Sequence, residues 1–385
     1  MLDFDVVVVG GGFAGMVIAE RFTADAKCSV LVVERRNHLG GNAFDYQDDH
    51  GVLVHKYGPH YFRTNSQSVL DYLGRFADWI PTEYRILSYA EGDLWPFPIN
   101  LNTFEKLIGR SSDTEEMERT LARWRVHVET PRNSEEVIVS KIGWRLYRMF
   151  FEEYTRKQWN RHPRDLDPSV CARIPIRTNR DDRYLEDKHQ VMPAGGYHAV
   201  FQNILAASRG VKVMLSTDFR EIRPQLRYRW LVYTGPIDEF YDFRFGRLPY
   251  RSLRFEHQSY EGAELAARAP VSGKPGFWQP VVQINYPGSE PYTRTVEIKH
   301  VTGQDCPNTT VVREYPADQG DPFYPLPTPD SRKLYHRYRA LADREPNTSF
   351  IGRLATYRYY NMDQVVAMAL AEYRRLMERG VLSPG

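Results

Sequence analysis

Residues 4–9 (Phe-Asp-Val-Val-Val-Val) form a run that is apolar at nearly every position. That is the pattern of a parallel strand buried on both faces. Gly10-Gly11-Gly12-Phe13-Ala14-Gly15 follows at once, and Phe13, Val17, Ile18 and Phe22 then recur at helical spacing, predicting a helix with one apolar face. A second apolar run, Val30-Leu31-Val32-Val33, ends on Glu34. Strand, glycines, helix, strand and acid in this order make a dinucleotide-binding unit. Glycines let the backbone approach a diphosphate, and the helix N-terminus offers free N–H groups and a positive dipole. The acid, about twenty residues on, accepts hydrogen bonds from a ribose. Gly10, Gly12, Phe13, Ala14, Gly15 and Glu34 are therefore candidate cofactor contacts, and the pattern alone leaves NAD and FAD both open.

The other end of the chain supplies a counterpart. Thr348–Arg353 reads as a short strand meeting a turn, and Asn361-Met362-Asp363-Gln364 as an N-cap ahead of Val365, Val366, Ala369, Leu370 and Tyr373 at helical spacing. Such an N-terminus aimed at a flavin favours the negative charge of its reduced form. Strands are also expected at Val211–Leu215 and Trp230–Thr234, so the cofactor domain is discontinuous: residues 1–80 with 191–238 and 345–385. Residues 99–170 carry a helical period, with Ile142, Leu146, Phe150, Tyr154 and Gln158 on one side of a helix over Ser140–Trp159. Residues 81–98 with 171–190 and 239–344 are rich in proline, β-branched residues and aromatics and suggest an antiparallel sheet. The fold class is mixed α/β.

Composition narrows the function. The 51 basic and 49 acidic residues nearly cancel, against the concentrated basic face that nucleic acid requires. The 25 tyrosines and 7 tryptophans fill cores and also suit a site that stacks sugars and bases. Cys28, Cys171 and Cys306 are far apart, which fits a reduced compartment and excludes a disulfide framework or a cysteine zinc site. No metal is expected. With no membrane-length apolar run and no signal peptide at the N-terminus, a cytoplasmic location is the expectation.

Several blocks, in order along the chain, carry a resemblance. Glu34-Arg35-Arg36-Asn37-His38-Leu39-Gly40-Gly41-Asn42 is similar to the fingerprint of FAD proteins related to amine oxidases. His55-Lys56-Tyr57-Gly58-Pro59-His60, Gln158-Trp159, Arg173-Ile174-Pro175-Ile176-Arg177, Tyr233-Thr234-Gly235-Pro236-Ile237-Asp238, Tyr292-Thr293-Arg294, Glu314-Tyr315-Pro316 and Gly352–Tyr360 resemble bacterial UDP-galactopyranose mutase. The resemblance implies a Rossmann-like FAD domain, a helical domain and a six-stranded antiparallel sheet. It implies a redox-neutral ring contraction in which N5 of reduced FAD attacks the anomeric carbon of UDP-galactopyranose, and an external donor that reduces the flavin. A homodimer is implied by the same relatives.

It also assigns residues. Arg177 and Arg294 correspond to the diphosphate arginines, Phe151 and Tyr154 to the uracil contacts, and Trp159 to a residue beside a mobile lid that would span Arg161–Arg177. Tyr184, Tyr315 and Tyr359 correspond to diphosphate contacts, and Asn285 joins the substrate set. Arg35, Gly41, Asn42, Arg353 and Met362 join the cofactor set, and His60 faces the isoalloxazine. The chain departs from the family at His60-Tyr61-Phe62-Arg63-Thr64-Asn65, where Arg63 replaces a histidine near the sugar; Asn160 and Trp95-Pro96-Phe97 also differ. These departures put the sugar in question. UDP-N-acetylgalactosamine or a dTDP-deoxysugar are the alternatives to UDP-galactose. An amine-oxidase-like oxidoreductase and a non-enzymatic FAD-binding scaffold are the rivals to mutase chemistry.

Overall fold

A computed structural model describes residues 1–267 and 275–381. Residues 268–274, within the expected sheet domain, and 382–385, at the end of the expected cofactor domain, lie outside the described residues.

Five parallel strands form the first sheet in the order Val211–Met214, Val30–Val33, Leu2–Val9, Leu226–Tyr233, Thr348–Phe350. The strand at its centre has neighbours on both sides, and Val6, Val7 and Val8 are fully buried, which is why the run is apolar without alternation. Successive side chains take opposite faces. Val6, Val8, Val30 and Val32 pack with the helix Phe13–Ala24, while Phe4, Val7, Leu31 and Val33 meet Tyr338 and Ala342. Those last two sit on the helix Pro329–Ala342. This stretch, expected within the sheet domain, thus closes the second face of the cofactor sheet.

The second sheet has seven strands in the order Tyr324–Pro325, Tyr250–Tyr260, Thr309–Ala317, Arg294–Val296, Gln283–Asn285, Ile86–Ala90, Asp93–Phe97. The expected six-stranded antiparallel sheet is corrected in two respects. A two-residue strand ending on Pro325 adds an edge, where a missing N–H is tolerated. Gln283–Asn285 runs parallel to Ile86–Ala90, because a long excursion through the helices separates the two. Within 171–190 only His189 and Gln190 join a strand, His189–Pro193, which lies in a separate three-stranded sheet between Phe62–Thr64 and Trp79–Pro81.

Helices occupy Leu101–Ile108, Thr114–Trp124, Ser134–Tyr147 and Glu153–Trp159. Asn100, Asp113 and Asn133 cap the first three by accepting backbone N–H bonds, as short polar side chains do ahead of a helix. The single helix expected over Ser140–Trp159 is broken twice. Gly143 takes φ +76°, and a Cβ there would lie 2.2 Å from the Trp124 carbonyl oxygen. Arg148–Glu152 then winds as a π-helix, a distortion concentrated at functional sites.

Candidate functional site

The glycine loop is built by close approach. A Cβ on Gly15 would fall 1.9 Å from the Gly10 oxygen, and one on Gly10 (φ +104°) 2.1 Å from Thr234 Oγ1; both glycines are needed for the strand–turn–helix to close. Gly12 has a different reason. It faces Gly41, whose Cα would lie 3.6 Å from a Gly12 Cβ, and the Gly40 N–H donates to the Gly11 oxygen at 2.8 Å. Two glycine segments thus form a groove without side chains beside the N-terminus of helix Phe13–Ala24, a fit for a dinucleotide diphosphate. Glu34, the expected ribose contact, lines the groove, its carboxylate accepting from the Gly11 N–H at 2.7 Å and the Arg36 N–H at 2.8 Å. Arg35, Gly41 and Asn42 line the same groove. Arg36, absent from the expected set, lines it too and donates to Asn42 Oδ1 at 3.0 Å.

A second cavity adjoins this groove, and His60, Arg353 and Met362 line both. The end of the groove is therefore the place where the second cavity begins. Met362 opens the helix Met362–Glu378, and Gln364 Oε1 accepts from the Asn361 N–H at 2.9 Å, the capping expected from sequence. Arg353 is held by the Tyr360 carbonyl at 2.6 Å. The His60 N–H donates to His55 Nδ1 at 3.0 Å, and His60 Nδ1 lies 3.0 Å from the Gly58 oxygen. Burial, with Arg353, Arg294 and Arg36 nearby, pushes the His60 imidazole down to about 4, so it is neutral near pH 7. Its Nδ1 proton belongs to Gly58, which leaves Nε2 as an acceptor.

His55, only 2 % exposed, is pushed down by burial to about 3. The unfolded chain binds that proton from about pH 6.5 downward, so His55 makes stability fall as pH drops through the window from about 6.5 to 3, by up to about 1.4 kcal/mol per unit. Asp45, 3.9 Å away and pushed up to about 6 by burial, acts in the opposite sense below its own value. In thermal unfolding followed from pH 7.5 to 4.5, His55→Asn is expected to lose less stability on acidification than the parent; equal slopes would refute the assignment.

The wall of the cavity facing the helical insertion consists of Phe150, Phe151, Tyr154, Thr155, Gln158 and Trp159. The π-turn before Glu153 lets two consecutive phenylalanines join one face. Arg63, Arg173, Arg294 and Arg353 line the cavity with Tyr184, Tyr324, Tyr359 and Asn285. Burial pushes the pKa of the Tyr359 hydroxyl up, but Arg173, Arg353 and Arg294 outweigh it and hold that hydroxyl below the ordinary phenol value. Arg294 pairs with the buried Glu314 carboxylate at 2.7 Å.

Two expected contacts are elsewhere. Arg177 does not line the cavity; its backbone is docked on the Ile99 carbonyl, and its guanidinium grips the Arg183 oxygen at 2.6 Å and Glu186 at 3.3 Å. Arg173, at the start of the same block, faces the cavity. Residues Ile174–Arg177 are not helical, so the two arginines do not share a side. Tyr315 also points away, donating to Glu256 at 2.8 Å beneath Arg254. It follows Glu314 on one strand, and alternation sends it to the opposite face. Tyr324, on the edge strand, takes a place on the cavity wall instead. Away from the cavity, Glu135, Glu152 and His162 approach one another within 4.8 Å, but Glu135 already accepts from the Tyr147 hydroxyl and His162 Nδ1 from the Arg164 N–H.

Residues 149–359 match the sequence profile of UDP-galactopyranose mutase, and residues 8–76 that of an NAD(P)-binding Rossmann-like domain. A probable UDP-galactopyranose mutase of Klebsiella pneumoniae is 34% identical over 96% of this chain and 94% of that one. The chain belongs to the UDP-galactopyranose mutase family. A dTDP-fucopyranose mutase of Escherichia coli is 33% identical over 95% of this chain and 96% of its own length. A crystal structure of reduced UDP-galactopyranose mutase shares the fold, with a TM-score of 0.75 at 16% identity over 98% of this chain and 96% of that one. The protein is thus a mutase-type isomerase with FAD as its cofactor. Among the described residues no helix is long and apolar enough to cross a membrane.

Proposed function

We propose that this mutase interconverts the pyranose and furanose forms of a nucleotide-linked sugar, with UDP-galactose as its first substrate. The observation that carries the reading is the shared wall of His60, Arg353 and Met362, which sets the second cavity at the end of the dinucleotide groove. When bound, reduced FAD supplies the nucleophile for the anomeric carbon. The chain's own residues do the rest. Phe151, Tyr154 and Trp159 receive the base, and Arg173 and Arg294 hold the diphosphate, whose negative charge grows as it leaves. Tyr184, Tyr324 and Tyr359 complete that grip. The segment Arg161–Arg177, which carries Val170, Cys171, Arg173 and Ile174 to the cavity, closes over the nucleotide and excludes water. The reaction changes no oxidation state of the sugar, so an external donor is needed only to prime the flavin. The enzyme acts in the cytoplasm as a homodimer.

The test is separation of sugar products after incubation with dithionite-reduced and with oxidised enzyme, offering UDP-galactofuranose, UDP-N-acetylgalactosamine and a dTDP-deoxysugar in parallel. Turnover confined to the reduced enzyme is expected; substrate-dependent oxygen consumption without isomerisation would favour the oxidase rival instead. The same assay reads Arg63. It lines the cavity with Nη1 2.6 Å from Asp187 Oδ2, and the free edge of its guanidinium suits an acetamido oxygen. Arg63→His is expected to lower the ratio of activity on the acetamido sugar to that on galactose by about tenfold, the scale of one hydrogen bond. An unchanged ratio would remove Arg63 from specificity.

A further inference from the structure

Three neutral side chains on the cavity wall form a relay, and of them only Asn285 belongs to the expected substrate set. Tyr84, 4 % exposed, donates its hydroxyl proton to Gln283 Oε1 at 2.8 Å, and Gln283 Nε2 donates to Asn285 Oδ1 at 2.7 Å. All three line the substrate cavity. The relay has direction and place. Its phenol end packs on Tyr61, the neighbour of His60, with ring centroids 4.7 Å apart. Its amide end sits opposite Arg294 in the strand register. Tyr184 also packs on Tyr84, with ring centroids 6.2 Å apart, so the relay lies between the flavin junction and the residues assigned to the diphosphate, the span that a sugar occupies between its reacting carbon and its leaving group.

The proton count decides what such a relay recognises. The Tyr84 proton is committed to Gln283, so its oxygen can only accept. A sugar hydroxyl or amide N–H satisfies it; a deoxy carbon leaves a buried acceptor unpaired, the situation in which sites built on hydrogen bonds discriminate most strongly. Resting on the reading of the cavity as a nucleotide-sugar site, we propose that Tyr84 is a specificity residue selecting a sugar that bears a hydrogen-bond donor at this position over its deoxy counterpart, with Gln283 as the positioning residue that fixes the phenol as an acceptor.

The experiment is calorimetric titration of the FAD-loaded enzyme with UDP, with dTDP and with UDP-galactose. Tyr84→Phe is expected to weaken UDP-galactose about tenfold and leave UDP within twofold. Gln283→Leu is expected to weaken UDP-galactose severalfold in the parent but to add less than twofold in the Tyr84→Phe background, because its effect passes through the phenol. Equal weakening of UDP and UDP-galactose by Tyr84→Phe would mean that Tyr84 reads the nucleotide, and would overturn the proposal. So would no change in either, or full additivity in the double variant, which would make Gln283 a separate contact. If the parent enzyme bound neither UDP nor dTDP, the nucleotide-sugar reading itself would fall, an outcome distinct from a normal parent with unresponsive variants.

Discussion

Arg173→Ala is expected to lower kcat/KM about a thousandfold while leaving the melting temperature and the bound flavin unchanged. The guanidinium faces the cavity, stands 5.3 Å over the Tyr359 ring and, among the described residues, hydrogen-bonds the Val170 oxygen at 3.3 Å and the Tyr359 hydroxyl at 3.4 Å. Little of the fold depends on it, and removing such a side chain shifts stability by about 0.5 kcal/mol or less. Against a diphosphate it can make two charge-assisted bonds, each worth about 1.5–3 kcal/mol. Losing about 4 kcal/mol of transition-state stabilisation is three orders of magnitude in rate. Arg177→Ala should behave in the opposite way. That side chain is 9 % exposed and ties the turn at 181–186 to its own backbone through the Asp181 and Arg183 carbonyls, so its loss should lower thermal stability and reduce activity only modestly. Steady-state kinetics beside thermal unfolding on the two variants separates them. If Arg177→Ala were the catalytically crippled, thermally normal one, the assignment of Arg173 would be wrong.

The contrast between these two arginines also shows what the sequence could carry. The glycine loop, the central strands, Glu34 and the cap at Asn361 were legible because local spacing alone determines them: a Cβ either fits or it does not, and a strand paired on both sides must be apolar throughout. The Arg-Ile-Pro-Ile-Arg block was equally visible as a block. Which of its two arginines enters the cavity depends on where a non-helical segment docks, here on the Ile99 carbonyl, and no periodicity reports that. Tyr315 was lost for a related reason. Its strand register was not legible, and a shift of one residue reverses every side chain on a strand; with Glu314 inside against Arg294, Tyr315 must face out. The helical period of 140–159 identified the correct face, but neither the break at Gly143 nor the π-turn, which depend on contact with Trp124 and the cavity wall, leaves a distinct pattern. Gln283 gave no signal at all, since a polar residue in a short strand reads as solvent-facing until its partners Tyr84 and Asn285 are in place.

Gly12→Val is expected to yield a folded protein that carries no flavin. The position has an ordinary extended backbone, with φ −83° and ψ −171°, so valine is not strained there. A Cβ would meet only Gly41, at 3.6 Å, which is normal contact. The added methyl groups have one direction left, into the groove between the two glycine segments, and that is where the diphosphate must approach the backbone. Gly15→Ala is the necessary control. Its Cβ would sit 1.9 Å from the Gly10 oxygen, so it should fail by misfolding rather than by emptying a site. Absorbance of the purified proteins near the flavin bands, read together with circular dichroism and unfolding, distinguishes the two modes of loss. A Gly12→Val protein that still purified with stoichiometric FAD would mean that the diphosphate does not pass between Gly12 and Gly41, and the orientation of the cofactor toward His60, Arg353 and Met362 would have to be redrawn. A flavin-free, well-folded variant fixes that orientation, and with it the side of the cavity on which the anomeric carbon must lie.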